Sequence, residues 1–265
     1  LSSVGGRVAM GAPYNNGGGL TDSGHTRVFE WNGSSWIQLG SDIDGEAQLD
    51  ASGWSVSLNA AGDRVAIGAP GNDDGGLVAG QTRIFEWNGS SWIQLGSDID
   101  GGASDDISGW SVSLNSDGDR VAIGAYGNGD GGLIAGQTRI FEWNGSSWTQ
   151  LGSDIDGEAA FDASGWSVSL NAAGDRVAIG ALFNDGTGST SGHTRVFEWN
   201  GSVWVQLGSD IDGEAGGDES GRSVSINAAG DHVAIGARQS SPKSGETRIF
   251  NIETTPAGAC LLYQD

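Results

Sequence analysis

A unit of 56 residues recurs along this 265-residue chain and leaves few folds open to it. Gly53-Trp54-Ser55-Val56-Ser57-Leu58 returns from Gly109 and from Gly165, and again as Gly221-Arg222-Ser223-Val224-Ser225-Ile226. A second element, Arg64-Val65-Ala66-Ile67-Gly68-Ala69, recurs from Arg7, Arg120, Arg176 and His232. A third, Thr82-Arg83-Ile84-Phe85-Glu86-Trp87, recurs from Thr26, Thr138, Thr194 and Thr247. A fourth, Trp92-Ile93-Gln94-Leu95-Gly96, recurs from Trp36, Trp148 and Trp204. Each is a short β-rich run between clusters of Gly, Asn, Asp and Ser, which is the grammar of strands and turns. No stretch carries helical periodicity. A repeat of this length means supersecondary units that bury their faces against one another.

The third and fourth runs are joined by Asn32-Gly33, Asn88-Gly89, Asn144-Gly145 and Asn200-Gly201. Asn-Gly is the residue pair of a two-residue type I′ hairpin turn. On that register Phe29, Trp31 and Trp36 share one face, and Val28, Ile37 and Leu39 share the other. A sheet apolar on both faces is covered on both faces. Side-chain size also grows along the unit, from Ser55, Val56 and Ser57 to Phe85, Trp87 and Trp92. Sheets crowded near an axis and splayed outside need that wedge, and a straight solenoid does not. The expectation is an all-β chain, a β-propeller of four-stranded antiparallel blades with five repeats of about 56 residues. Residues 1–252 form the single domain, with repeats at 1–52, 53–108, 109–164, 165–220 and 221–252. Residues 253–265 are a C-terminal tail or a strand that closes the ring; alternatively, further blades lie outside this sequence.

Gly53-Trp54-Ser55-Val56 with Val65-Ala66-Ile67-Gly68-Ala69-Pro70 resembles the FG-GAP repeat of integrin-α-type β-propellers. Ser52 stands where that family has Phe, and the Pro is kept only at Pro13 and Pro70. The resemblance implies an extracellular adhesion or recognition context. The family's calcium loop does not carry over. Asn59-Ala60-Ala61-Gly62-Asp63 offers one carboxylate where calcium takes six to eight oxygen ligands.

Composition narrows the partners. Net charge is −22, with a single lysine, Lys243. Such a surface repels phosphate backbones and anionic lipid, so no nucleic acid is expected as a partner. It suits divalent cations and cationic partners. No apolar run is long enough for direct membrane insertion. The lone cysteine, Cys260, has no internal partner and is a candidate for an intermolecular disulfide.

Asp42-Ile43-Asp44-Gly45 recurs as Asp98/Asp100, Asp154/Asp156 and Asp210/Asp212. Alternate carboxylates before a glycine are hard-cation chemistry, which makes these eight residues candidate calcium ligands. A solvated turn whose Asp side chains hold backbone N–H groups explains the same pattern. Asn32, Asn88, Asn144 and Asn200 begin Asn-Gly-Ser sequons on expected hairpin tips, which makes them candidate glycosylation sites. The Arg of Thr-Arg-x-Phe reads as a structural ion pair with a loop carboxylate. The three histidines, His25, His193 and His232, are scattered, and no catalytic set stands out. The sequence thus points to a secreted or cell-surface, non-catalytic structural or adhesive propeller module within a larger assembly of protein chains. The alternative is a carbohydrate-binding propeller that takes glycans.

Overall fold

The computed structural model describes residues 1–3, 5–238 and 245–252. Cys260 and the 253–265 segment lie outside them. The described chain is a series of antiparallel sheets, one per repeat. In the second repeat the strands are Ser55–Leu58, Arg64–Ala69, Gln81–Trp87 and Trp92–Gln94, hydrogen-bonded in that order. A two-residue strand, Ile99–Asp100, returns to pair with the start of Gln81–Trp87. The fourth strand is therefore an edge broken in two around Gly96, whose φ is 80°. Among the described residues the first sheet has no counterpart of Ser55–Leu58, and the fifth has three strands, the last of them Glu246–Asn251.

The chain forms two compact units, Leu1–Ile123 with Phe141–Thr149, and Gly124–Ile140 with Gln150–Asp265. In the first, the two-faced character expected of each sheet is observed. Val65, Ile67 and Phe85 of the second repeat cluster with Val28 and Ile43 of the first. Ala66 and Ile84, one position off along the same strands, cluster with Val112, Leu114, Val121 and Ile123 of the third. The alternation of a strand thus sends successive side chains to opposite neighbours. Each fully buried Ile or Val contributes about 1.5–3 kcal/mol. In the second unit Ala178 and Val196 meet Ile226, Val233, Ile235 and Phe250 in the same way.

Polar bonds repeat with the packing. Trp92 Nε1 donates to the Leu39 carbonyl at 2.8 Å, and Trp148 to Leu95 at 2.7 Å. Ser55 Oγ donates to Gly109 O at 2.8 Å, and Arg64 Nη1 to Gly118 O at 3.2 Å. In the second unit Trp204 donates to Leu151 O, Ser167 to Gly221 O and Arg176 to Gly230 O. The close approach also explains the Gly of Val-Ala-Ile-Gly-Ala. A Cβ on Gly68 would stand 1.9 Å from Gly109 O.

Two expectations need correction. The hairpin tip is a four-residue loop, not a two-residue type I′ turn. Trp31 pairs with Trp36 and Phe29 with Gln38, and Asn32 N–H donates to Ser35 O. Only Gly33 has positive φ, at 98°. The reason is the Asn side chain, whose Oδ1 accepts from the N–H groups of Ser34 and Ser35 and so organises the turn itself. The tryptophans are also less buried than expected. Trp31 and Trp36 are 44% and 43% exposed, and Trp92 and Trp148 are half-buried, with their indole N–H groups satisfied by a neighbouring repeat.

Candidate functional site

The acidic loops largely serve the fold. Asp50 Oδ2 accepts from the N–H groups of Glu46 and Ala47, and Asp106 from those of Gly102 and Ala103. Asn59 Oδ1 accepts from Arg64 N–H, and its amide donates to Asp63 at 2.7 Å. Three of the Thr-Arg-x-Phe arginines hold the preceding repeat. Arg83 Nη2 donates to Asp44 O at 2.7 Å and pairs with Glu46 at 3.3 Å. Arg195 and Arg248 repeat this with Asp156 O and Glu158, and with Asp212 O and Glu214. The Asn32, Asn88, Asn144 and Asn200 side chains sit on exposed tips, each Oδ1 accepting from the Ser two residues on.

The eight aspartates proposed for calcium fall into pairs whose partners differ. Asp42 is gripped by Arg27 at 3.0 and 2.8 Å and by Gln38 at 2.7 Å. That Arg27 hydrogen bond, foremost among the causes, holds the Asp42 carboxyl down at about 2. Asp98 accepts from Gln94 at 2.6 Å, and Gln81 reaches Asp100 at 3.5 Å. Gln137 Nε2 donates to both Asp154, at 3.0 Å, and Asp156, at 3.2 Å. In that repeat a neutral amide occupies the space between the carboxylates. His193 takes the place of that glutamine beside Asp210 and Asp212.

Asp210 and Asp212 open on a cavity of about 660 Å³ in the second unit. Its walls combine Tyr126, Phe161 and Phe183 with Glu158 and Asp185. Tyr126 lies against Trp166 with ring centroids 5.0 Å apart, and Trp166 against Phe183 at 6.2 Å. Burial raises the Tyr126 phenol above its ordinary range. Ile134, Phe161 and Thr190 line the same space at φ of 53°, 72° and 53°. Bulky residues in that conformation cost about 1–3 kcal/mol each and persist only where surrounding bonds over-determine them. Here Phe161 N–H donates to Leu133 O, Ala163 N–H to Ile134 O, and Thr190 N–H to Asp185 Oδ1.

No protein-family model and no curated protein sequence matches the chain. Its structure is similar to that of KlAtg21, solved in complex with the coiled coil of AgAtg16, with a TM-score of 0.58 and 10% identity over 92% of this chain and 65% of that one. It is also similar to a protein assigned as TolB from Agrobacterium tumefaciens, with a TM-score of 0.50 and 11% identity over 90% of this chain and 73% of that one. The β-propeller domain of the Trilobed protease from Pyrococcus furiosus aligns over 93% of this chain and 65% of its own, with a TM-score of 0.47 and 9% identity. The fold is a β-propeller. At identities of 10% and 11% the likeness to the first two shows the fold alone, and propellers host many chemistries.

The propeller places one set of residues together that the sequence reading passed over. His193 is buried beside Glu158 and Asp210, and in the first repeat His25 lies beside Asp42 and Asp44. A signal was present. Each histidine stands 17 residues before the first aspartate of its pair, as Gln137 stands before Asp154. Burial, with Arg195 nearby, pushes the His193 imidazole below its ordinary pKa.

Proposed function

We propose that this propeller is a non-catalytic adhesive or structural module of a secreted or surface-displayed assembly, and that it holds a cationic group of a partner chain. The observation that carries this reading is the second-unit cavity. Three aromatic rings and the carboxylates of Glu158, Asp210 and Asp212 converge there. An ammonium or guanidinium group gains both carboxylate attraction and the faces of aromatic rings. The net charge of −22 steers cationic partners toward the surface. The resemblance of the Gly-Trp-Ser-Val and Ile-Gly-Ala-Pro blocks to FG-GAP repeats supports an extracellular recognition context.

The test is titration of the full chain with a lysine-rich peptide and its glutamate-substituted counterpart. The lysine peptide is expected to bind more weakly as salt rises, and Phe161→Ala to weaken it at least tenfold. Binding that Phe161→Ala leaves unchanged is bulk charge alone and overturns the reading. A second reading, as a glycan-binding propeller, rests on the Trp pairs Trp31–Trp36, Trp87–Trp92, Trp143–Trp148 and Trp199–Trp204. Each has centroids 5.5 Å apart on a half-exposed outer edge. A glycan array on which the chain binds nothing removes it.

A further inference from the structure

We propose that His193, Glu158 and Asp210 form a binding site for one divalent first-row transition ion of the zinc class, distinct in chemistry from a calcium site. One nitrogen of His193 and one carboxylate oxygen each from Glu158 and Asp210 lie within 4.8 Å of one another. The imidazole supplies the independent observation. The His193 side chain is 1% exposed, and its Nε2 is buried without a hydrogen-bond partner among the described residues. Nδ1 stands 3.9 Å from Glu158 Oε2, too far for a hydrogen bond. Nδ1, the ring nitrogen nearer Glu158, is the one placed to bond an ion, which would give this buried imidazole, otherwise without a hydrogen bond among the described residues, a partner.

The third repeat shows what this position can hold when it is not a ligand. Gln137 there donates its amide to Asp154 and Asp156, and the group is satisfied. In the first repeat His25 is present, yet Arg27 and Gln38 already occupy Asp42. In the fourth repeat Asp210 Oδ1 accepts, among the described residues, from Gln206 alone, at 2.7 Å, and Arg195 Nη1 stays 3.6 Å from Glu158 Oε1. Glu158 Oε2 and Asp210 Oδ2 therefore remain for an ion. Among the repeats, a histidine at this position and a glutamate in the preceding loop coincide only here. The third repeat follows Gly102 where the fourth follows Glu158.

The donor set decides the ion. Imidazole nitrogen with two carboxylates suits zinc-class ions, whereas calcium takes six to eight oxygens. Tetrahedral zinc needs ligand atoms about 3.3 Å apart, from metal–ligand bonds near 2.0–2.1 Å. The Glu158 side chain is 43% exposed, and its ion pair with Arg195 is long, at 3.6 Å, which leaves the carboxylate room to turn toward an ion. Three protein ligands leave a fourth position, and Glu158 and Asp210 face the cavity. This site shares that cavity but does not rest on the partner reading, because its test uses ions alone.

The experiment is titration of the chelator-treated 265-residue chain with Co²⁺, read by its visible d–d absorption, and competition by Zn²⁺ and Ca²⁺. One equivalent of Co²⁺ is expected to give a band that Zn²⁺ displaces and millimolar Ca²⁺ does not. His193→Gln installs the residue that Gln81 and Gln137 carry at the same place, so the fold is expected to hold, with a weakening of at least tenfold. Glu158→Gln, at an exposed side chain, is expected to weaken binding at least tenfold as well. Absence of the band, displacement by Ca²⁺, or unchanged binding in His193→Gln or Glu158→Gln overturns the proposal.

Discussion

Trp92 donates its indole N–H to the carbonyl of Leu39, one repeat earlier, at 2.8 Å. The bond joins two successive sheets beside the apolar cluster of Val28, Ile43, Val65, Ile67 and Phe85, against which Trp92 packs. Trp36, the matching residue of the first repeat, makes no such bond among the described residues and is 43% exposed. Trp92→Phe is therefore expected to cost about 1 kcal/mol, from the lost bond and the orphaned carbonyl. Trp36→Phe is expected to cost clearly less. Denaturant unfolding of the two variants side by side checks the difference.

Gly68 meets Gly109 O so closely that a methyl group has no room. Gly68→Ala is expected to destabilise by about 2–3 kcal/mol, as overpacking against backbone does. Gly89, at φ 97° with open space around it, tests conformation alone. Gly89→Ala is expected to cost about 1 kcal/mol, since only the left-handed backbone is penalised. Equal unfolding midpoints for the two variants would show that the backbone contact is not tight.

Acid should expose the Arg27–Asp42 pair. The Asp42 carboxyl is held at about 2, below its ordinary 3.8. A depressed carboxyl stabilises the fold above the ordinary value, and that contribution is lost as pH falls from 3.8 towards 2. Melting curves of the wild type and Asp42→Asn are expected to differ at pH 5 and to converge near pH 2. A gap that stays constant over that range would count against the pair.

The Asn-Gly-Ser tips are exposed, and each Asn Oδ1 organises its turn. Secreted from a eukaryotic host, the chain is expected to carry glycans at Asn32, Asn88, Asn144 and Asn200. Intact mass before and after enzymatic deglycosylation reads this, and Asn88→Gln should remove one glycan. An unchanged mass would show that the folded tips are refused.

The strand order was legible because Val65, Ala66 and Ile67 announce a sheet that is apolar on both sides, and the 56-residue spacing says how often it recurs. The hairpin register was not, because Asn-Gly reads alike in a two-residue and a four-residue tip. The choice fell to the Asn32 side chain bonding Ser34 and Ser35. The role of Arg83 was legible as an ion pair, whereas its bond to the Asp44 carbonyl needed the neighbouring repeat in place. The His193 cluster was hidden by sequence distance. Glu158 comes from the preceding loop and Asp210 from the following one, and only the fold brings them together.

The seams between repeats join residues at fixed offsets, Ser55 to Gly109 and Arg64 to Gly118, and Ser167 to Gly221 and Arg176 to Gly230. The second and fourth copies bear the donor side of this seam, and the third and fifth bear its acceptor side. Unequal crossing-over in the gene can add or delete a whole copy, and each new junction is already chemically complete. The array can change its length without having to evolve a new joint.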